Sequence, residues 1–328
     1  MRNGLPDYDD VVDAAARLLG RAVVTPLLSS PALDELLGGR ILFKPEPLQR
    51  TGSFKFRGAF NRICRIPDAE RQRGVLAWSS GNHAQGVAAA ARLFQVPAII
   101  VMPRDAPAAK IVGTRALGAE VVLYDRLNES REAIGEAIAA ERGATIVKPF
   151  DDPLVIAGQG TVGLEAAAQV AALNLRADAA LVPCGGGGLI GGTGLALKHY
   201  WPDIAIYAVE PDGFDDTARS LASGTRVAVA PETRSICDAL LAPMPGELTF
   251  ALNARQLAGG FAVGDDEVLR AMAMAFRHLR LVVEPGGAVA LAAVLAGRFD
   301  CRGQTVLVVL SGGNVDAAMF RRALESLG

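Results

Sequence analysis

The first half of the chain alternates short apolar runs with alanine-rich segments. The runs GVLAW (74–78), AIIVM (98–102) and EVVLY (120–124) have the length and composition of buried strands. Helical patterns follow them from about Asn82 to Phe94, near 107–117 and in NESREAIGEAIAAER. Strands that alternate with helices form parallel sheets, because each helix carries the chain back across the sheet. This segment is therefore predicted to be one α/β unit.

A second series predicts another α/β unit, built from ALVP (180–183), a helix from Leu189 to His199, IAIYAVE (204–210) and TVLVVLSGG (305–313). The run ILFKPE (41–46) precedes the first series and ends in a polar loop. The larger unit is therefore expected to be discontinuous, with the smaller one inserted into it. The predicted fold is α/β, with two open, twisted parallel-sheet domains.

The boundaries follow from the same pattern. Residues 1–70 and 152–328 are assigned to a large domain and residues 71–151 to a small one. No C-terminal regulatory domain is expected, since the sequence stops soon after the last predicted strand.

The composition favours small-molecule chemistry. The chain has 328 residues, 33 basic and 35 acidic side chains, and 51% hydrophobic residues, which suffices for a core without disulfides. The formal net charge is -2, so the chain has no basic excess with which to bind nucleic acid or an anionic membrane. No apolar run reaches the roughly 18 residues of a membrane helix.

The cysteines indicate a reducing compartment. Four cysteines are scattered without a CxxC pair: Cys64, Cys184, Cys237 and Cys301. Neither a zinc site nor a disulfide framework is indicated, and a cytoplasmic location fits best.

Lys55 is the first candidate for chemistry. It lies in LQRTGSFKFRGAF, among small and hydroxyl residues, with Arg57 two positions on. Burial would lower the pKa of its amine, and an unprotonated lysine can form an imine with a carbonyl cofactor. The alternative is a solvated lysine at a helix start.

The segment SSGNHAQG (79–86) follows a predicted strand and opens a helix. Backbone N–H groups from about Ser80 to His83 would face outward at the positive end of that helix, where a carboxylate binds. The alternative is ordinary N-capping by Ser80 or Asn82.

Four consecutive glycines follow the strand ALVPC: Gly185, Gly186, Gly187 and Gly188. Without Cβ atoms, this turn can wrap its amides around a phosphate. Tight strand-to-helix packing alone is the alternative. SGGN (311–314) ends another strand at the same expected carboxyl edge, where ligands of open α/β sheets bind. These loops and Lys55 are predicted to form one site.

In these four motifs the sequence resembles the fold-type II pyridoxal-phosphate family, specifically its serine/threonine dehydratase and serine racemase branch. The likeness runs from Thr25 to Asn314, and GQGTVGLE (158–165) and VEPGGAVALAA (283–293) also resemble family segments. The resemblance implies a tryptophan synthase β-like fold, pyridoxal 5′-phosphate as cofactor, an amino-acid substrate and a homodimer.

The resemblance also implies residue roles. Lys55 would carry the cofactor and later remove the substrate Cα proton, Asn82 would contact the ring hydroxyl, and the glycines would hold the phosphate. Ser311 would face the pyridine nitrogen and leave it unprotonated, which weakens the ring as an electron sink and favours β-elimination. The expected reaction converts a β-hydroxy-L-amino acid to a 2-oxo acid and ammonia.

Substrate contacts are expected from Ser79, Ser80, Asn82, His83 and Arg131. In the racemases that resemble this chain, a serine at the place of Ser80 is the second acid/base, so racemisation is an alternative or side activity. Ser80 could equally be a cap or a carboxylate ligand. An arginine such as Arg131 on a polar helix face is more often simply solvated.

A cation site is suggested by VEPDGFDD, in which Glu210 and Asp216 flank a turn with the Phe214 carbonyl between them. Hard oxygen ligands suit Mg²⁺ or Ca²⁺, and the resemblance assigns the same three positions. Sodium, potassium or plain surface charge are the alternatives.

Two other classes of function compete. Gly186, Gly188 and Gly191 form GxGxxG, with Glu210 beyond them to hold a ribose, as in an NAD-dependent oxidoreductase. A catalytically silent binding module is the second. Within the favoured class the substrate side chain stays open among serine, threonine, 3-hydroxyaspartate and phenylserine, and its pocket is expected near Phe150 and Asp151.

Overall fold

The computed structural model describes residues 4–79, 81–106, 108–125 and 127–327. Within these ranges, ten strands form two separate sheets. The strands are β1 (Leu28–Ser29), β2 (Arg40–Pro45), β3 (Val75–Trp78), β4 (Ala98–Pro103), β5 (Glu120–Tyr124), β6 (Thr145–Ile146), β7 (Ala179–Pro183), β8 (Ala205–Pro211), β9 (Gly259–Val263) and β10 (Thr305–Leu310).

Helices connect most of these strands and cover the sheets. They are α1 (Tyr8–Leu18), α2 (Pro31–Leu37), α3 (Lys55–Cys64), α4 (Asp68–Arg71), α5 (Asn82–Phe94), α6 (Ala108–Ala116), α7 (Arg131–Arg142), α8 (Pro153–Ala172), α9 (Gly188–Tyr200), α10 (Asp216–Ser223), α11 (Glu247–Asn253), α12 (Asp265–Leu279), α13 (Pro285–Leu295) and α14 (Ala317–Glu325). Short 3₁₀ turns occupy Glu46–Leu48, Arg50–Gly52 and Asp238–Leu240.

The larger sheet has the strand order β1-β2-β10-β7-β8-β9. Its strands are parallel except for the two-residue edge strand β1, which pairs antiparallel with β2. Strand β10 lies between β2 and β7, with Val306 opposite both Ile41 and Ala179. The loops that follow β2, β7 and β10 are therefore brought to one edge.

The smaller sheet has the order β5-β4-β3-β6 and is entirely parallel. All four strands come from one continuous segment between β2 and β7. The α/β class with two parallel sheets is confirmed, and the antiparallel edge strand β1 is an addition to it. The domain boundaries at 70 and 151 stay a prediction.

Helix α3 packs against the core of the smaller sheet. Its side chains Phe56, Ala59, Phe60 and Ile63 are buried in one cluster with residues of β3, β4 and α5. Lys55 is the first residue of α3. Packing of this helix therefore places Lys55 where the two sheets meet.

Buried charges also anchor α3. Arg57 is fully buried and donates from Nε to Glu46 Oε2 at 2.8 Å and from Nη1 to Glu165 Oε1 at 2.6 Å. The nearby carboxylates raise the pKa of the Arg57 guanidinium. Removal of one partner from such a buried pair costs about 3–5 kcal/mol, so the network holds the start of α3 in place.

Helices α8 and α13 are apolar around most of their circumference, as expected for helices enclosed by other elements. Helix α8 begins at Pro153, after Asp152, whose carboxylate accepts hydrogen bonds from the N–H groups of Leu154 and Val155. Among the described residues, no helix combines the length and apolar character needed to cross a bilayer.

Candidate active site

A cavity lies beside the carboxyl ends of β3, β7 and β10. It brings together most of the residues that the sequence predicted for one site: Lys55, Ser79, Asn82, His83, Arg131, Gly185, Gly186, Gly187, Gly188 and Ser311. Ser80 lies outside the described residues. The loops after these strands meet because parallel strands end at the same edge.

The amine of Lys55 is half-buried in this cavity. Its Nζ donates a hydrogen bond to the carbonyl of Pro149 at 2.8 Å. Burial lowers the pKa of Lys55 to about 8, against the opposing effect of the negative charge of Glu284. About a tenth of this lysine is therefore unprotonated at pH 7, far more than for a lysine of ordinary pKa, and bond formation to a carbonyl carbon requires this form.

The loop before α5 is the expected carboxylate position. Asn82 is the first residue of α5, whose N-cap is Gly81, and no side chain of a described residue caps the helix. Ser79 Oγ accepts a hydrogen bond from the Gly81 N–H at 3.2 Å. The alternative in which Asn82 serves as the N-cap does not hold, and the start of α5 keeps backbone amides for an anion.

The Asn82 side chain is held at both ends. Its Nδ2 donates to Glu284 Oε1 at 2.5 Å, and its Oδ1 accepts from Asn314 Nδ2 at 2.8 Å. Asn314 also donates to the carbonyl of Thr51 at 2.7 Å. One Nδ2 hydrogen of Asn82 remains for a ligand in a fixed orientation.

His83 is buried and neutral. Its Nε2 lies 2.8 Å from the Val147 carbonyl, and its Nδ1 has no hydrogen-bond partner among the described residues. Burial, assisted by the positive charge of Lys55, lowers the pKa of His83 to about 3. Since a carbonyl only accepts, Nε2 carries the proton and Nδ1 is left as an acceptor.

The glycine turn leaves no room for side chains. A Cβ atom at Gly186 would lie 2.3 Å from the Phe150 ring, and Gly187 has a φ of +90°. Thr249 Oγ1 donates to the Gly186 carbonyl at 2.7 Å, and Asn253 Nδ2 to the Gly187 carbonyl at 3.2 Å. Because the N–H and C=O of a peptide unit point in opposite directions, the amides of residues 187 and 188 point away from α11. These residues fit a phosphate group.

The SGGN segment is tied to the loop of Lys55. Phe54 donates its N–H to the Ser311 carbonyl at 3.2 Å, and Ser53 forms an antiparallel bridge with Gly312. Ser311 is buried and lines the cavity. A hydroxyl group is thus held at the edge of the cavity, next to the loop that leads into Lys55.

Arg131 begins α7 and lines the cavity from the side of the smaller sheet. Its Nε is 2.7 Å from an oxygen of the adjacent Glu132, and its side chain is half-exposed. This exposed pair is weak, so the arginine is free to turn toward a ligand.

Sequence reasoning missed Glu284. This buried residue precedes Pro285 at the start of α13, and its Oε2 has no hydrogen-bond partner among the described residues. Burial, and next the negative charge of Asp238, raise the pKa of Glu284 to about 7. The only available signal was an acid before Pro-Gly-Gly in a segment that is otherwise apolar.

Lys110 and Asp238 were also missed. Lys110 in α6 and Asp238 in the last 3₁₀ turn both line the cavity, and they form an ion pair with each other. Neither residue belongs to a recognisable motif, since they are 128 positions apart.

The candidate cation ligands Glu210, Phe214 and Asp216 do not line the cavity. Glu210 is buried and accepts hydrogen bonds from the N–H groups of Thr217 and Ala218, each at 2.9 Å. Asp216 is buried, and neither of its carboxylate oxygens has a partner among the described residues. Burial, and for Glu210 the negative charge of Asp216, raise the pKa values to about 8 for Glu210 and about 7 for Asp216.

Two buried carboxyl groups, of which Asp216 has both oxygens without a partner, fit a hard cation better than a solvated surface turn. Phe214 is buried beside them, in the turn that follows β8. Within the described ranges no group of three or more His, Cys, Asp and Glu side chains could hold a metal. A cation here would have only two carboxylates and need carbonyl or water oxygens as well.

Comparison with known proteins gives a consistent result. Residues 19–312 match the sequence model of a family described as "Pyridoxal-phosphate dependent enzyme". An L-threo-3-hydroxyaspartate ammonia-lyase of Pseudomonas sp is 44% identical over 98% of this chain and 99% of its own length. A serine racemase of Schizosaccharomyces pombe is 37% identical over 98% of both chains.

A solved structure agrees with these relatives. The crystal structure of a T.th. threonine deaminase is 43% identical in sequence, covers 95% of this chain and 99% of its own, and superposes with a TM-score of 0.89. The similarity therefore extends through both sheets and the cavity between them.

Proposed function

Since the chain belongs to the pyridoxal-phosphate dependent enzymes, we propose that its cavity is the active site of an ammonia-lyase for β-hydroxy-L-amino acids. The products are a 2-oxo acid and ammonia. Family membership confirms the fold and the pyridoxal 5′-phosphate coenzyme that the four motifs predicted. The alternatives of an NAD-dependent oxidoreductase and a silent binding module gain no support from it.

One observation carries the proposal. The half-buried amine of Lys55 shares a cavity with a turn of four glycines in which a side chain at Gly186 would collide with Phe150. An amine of lowered pKa and a phosphate cradle are the two features that hold an aldehyde coenzyme at both ends.

When bound, pyridoxal 5′-phosphate supplies a carbonyl group that joins to amines and a ring that delocalises the negative charge developing at the substrate Cα. Lys55 would hold the coenzyme through its amine, and the same amine, when free, would take the substrate Cα proton on Nζ. Residues 185–188 hold the phosphate through their amides. Asn82 orients the ring through its remaining Nδ2 hydrogen.

Ser311 offers the ring nitrogen a hydroxyl group in place of a carboxylate. A nitrogen left neutral beside this hydroxyl would stabilise negative charge at Cα less well, which would favour loss of the β-hydroxyl group over persistence of that charge. His83 and Ser79 lie beside the start of α5, which takes the substrate α-carboxylate. This arrangement favours elimination over transamination.

The proposal is tested in two steps. Borohydride reduction of the holoenzyme followed by peptide mapping is expected to give a phosphopyridoxyl group on Lys55; an adduct on another lysine would refute the site. A keto-acid assay is then run with L-serine, L-threonine, L-threo-3-hydroxyaspartate and phenylserine. Absence of product with all four, in enzyme that carries the adduct, would refute the reaction.

A second activity, racemisation, is favoured by the serine at position 80 and by the serine racemase relative. Ser80 would serve as the acid/base opposite Lys55. Ser80→Ala is expected to reduce racemisation of L-serine more than its elimination, measured by chiral chromatography and keto-acid release. Equal losses would mean that Ser80 only positions the substrate.

The buried pair Glu210 and Asp216, with the carbonyl of Phe214, is proposed to hold a structural Mg²⁺ or Ca²⁺. Its support is the two unpaired oxygens of Asp216 in a buried position. Such an ion would neutralise charge remote from the reacting bond, so it would affect stability more than the chemical step.

We propose that the protein is a homodimer and that it is located in the cytoplasm. Leu19, Val24 and Leu48 are 81%, 66% and 44% exposed. Two hydrogen bonds between Val23 and Gln49 bring their segments together, which leaves an apolar patch suited to a second copy. All four cysteines are free, as a reducing compartment requires. Sedimentation equilibrium tests the dimer.

A further inference from the structure

Lys110 and Asp238 form an ion pair at the wall of the active-site cavity. Lys110 lies in α6, beside the smaller sheet, whereas Asp238 belongs to the 3₁₀ turn packed on α13 of the larger unit. The Lys110 side chain is only 14% exposed, and that of Asp238 is 45% exposed. A mostly buried lysine therefore already binds a carboxylate inside the site, although that carboxylate belongs to the chain itself.

We propose that Lys110 is the specificity-determining residue for a second substrate carboxylate, and that Asp238 occupies this position until a dicarboxylic substrate displaces it. The substrate class is then a β-hydroxy amino acid with a carboxylate on its side chain, such as 3-hydroxyaspartate. This inference rests on the proposed function, because it names the substrate of that same site.

The charges that face the cavity support this choice. Among the described residues that line it, the cations are Lys55, Lys110 and Arg131, and the anions are Asp238 and Glu284. Lys55 is committed to the coenzyme. Lys110 and Arg131 thus remain for a ligand that carries two negative charges.

Glu284 interacts with Lys110 only through the Coulomb attraction of their charges, whereas its Oε1 accepts a hydrogen bond from Asn82 at 2.5 Å and the direct ion-pair partner of Lys110 is Asp238. An amino acid with an uncharged side chain needs only the amides at the start of α5. The second carboxylate of a dicarboxylic substrate needs a cation, since an unpaired charge in this half-buried place would be costly.

Lys110 lies next to the loop before α5, where the substrate α-carboxylate is expected, but does not belong to that loop. A Cβ atom at Gly81 would lie 3.6 Å from Lys110 Nζ. A ligand whose α-carboxylate rests on the start of α5 therefore has Lys110 within reach of its side chain. Arg131 approaches from α7 and is paired with its neighbour Glu132 on the surface, so it is less preorganised.

The test compares binding and turnover in the holoenzyme. L-aspartate and L-alanine lack the β-hydroxyl group and differ in the distal carboxylate, so their dissociation constants are measured through the coenzyme absorbance. Lys110→Met is expected to weaken the binding of aspartate by about 10-fold or more and the binding of alanine by less than about twofold. The same variant should lose kcat/KM for L-threo-3-hydroxyaspartate and keep it for L-serine.

Two further variants sharpen the result. Lys148→Met removes the same charge from an exposed lysine that does not line the cavity, and it should change the affinity for neither ligand. Asp238→Asn frees Lys110 and is expected to strengthen aspartate binding by about two- to fivefold without affecting alanine. Weaker aspartate binding in Asp238→Asn would overturn the role of Asp238 as a competitor.

Equal losses for aspartate and alanine in Lys110→Met would place Lys110 at the α-carboxylate and overturn the proposal. So would loss of the aspartate preference in Arg131→Met but not in Lys110→Met. If aspartate binds more tightly than alanine, this preference depends on Lys110 and no β-hydroxy amino acid is turned over, then the ammonia-lyase function is refuted and the carboxylate subsite is retained. If turnover occurs without that preference, the subsite fails and the function stands.

Discussion

Replacement of Gly186 by alanine would place a methyl group against the ring of Phe150. The new Cβ atom would lie 2.3 Å from Cδ1 and 2.4 Å from Cε1 and Cγ of that ring. Carbon atoms in contact are normally about 3.5–4.0 Å apart, so the ring or the turn must move by more than about 1 Å.

Neither side can move freely. The Gly186 carbonyl is held by Thr249 Oγ1 at 2.7 Å, and Phe150 follows Pro149, whose carbonyl accepts from Lys55. Phe150 lines the cavity, so a shift of its ring would change the cavity wall, and a shift of the turn would move the phosphate amides. Overpacking of this kind costs about 1–3 kcal/mol, and the part of this cost that falls on the coenzyme-bound conformation lowers the affinity, by about 5- to 150-fold when all of it does.

The assay is titration of the apoenzyme with pyridoxal 5′-phosphate, followed by absorbance, for Gly186→Ala, Phe150→Ala and the double variant. Relief of the collision should make the double variant bind more tightly than the sum of the single losses predicts. Gly113→Ala is the control, because its methyl group would lie 3.8 Å from Gln85 Nε2. Unchanged affinity in Gly186→Ala, or additive losses in the double variant, would refute the reasoning.

Three further predictions concern titrating and catalytic groups. Lys55→Ala is expected to abolish keto-acid release while the circular dichroism stays unchanged; retained turnover would contradict its role. Coenzyme loading should rise with pH through about 8 as Lys55 loses its proton. Glu284→Gln should shift this profile to lower pH, because the negative charge of Glu284 raises the pKa of the Lys55 amine; an unmoved profile would contradict this electrostatic interaction. The raised pKa values of Glu210 and Asp216 mean that the cation-free folded chain binds protons more tightly than the unfolded chain, so their stabilising contribution is complete below about pH 4 and is lost as pH rises through about 7 to 8. Ca²⁺ should therefore raise the Tm more at about pH 8 than at about pH 5, and equal melting temperatures with and without Ca²⁺ would exclude the site.

The regular α/β segments were predictable because their patterns are local. The apolar runs before residue 125 match β3, β4 and β5 to within one residue, and the helix expected from Asn82 to Phe94 is α5. Strand β9 was not predicted, since its sequence GGFAV begins with two glycines, which are poor strand formers. Helix α8 shows no helical period because it is apolar on nearly every side.

Some residues of the candidate site were predictable from local sequence motifs, and others were not. The residues in motifs, from Lys55 to Ser311, line one cavity as expected, apart from Ser80, which lies outside the described residues. Glu284, Lys110 and Asp238 could not be found beforehand, because an isolated acid or lysine has no periodic or motif context. Their significance comes from neighbours that are distant in sequence.

Sequence alone determined the chemistry that depends on backbone and residue type. A turn without Cβ atoms, a lysine between small residues and a polar helix start act locally, so a short stretch of sequence reveals them. Tertiary structure alone decided the electrostatics. Burial makes the Lys55 amine easier to deprotonate, leaves an oxygen of Glu284 without a partner and pairs Lys110 with Asp238, because desolvation and Coulomb interactions depend on distances that only the folded chain sets.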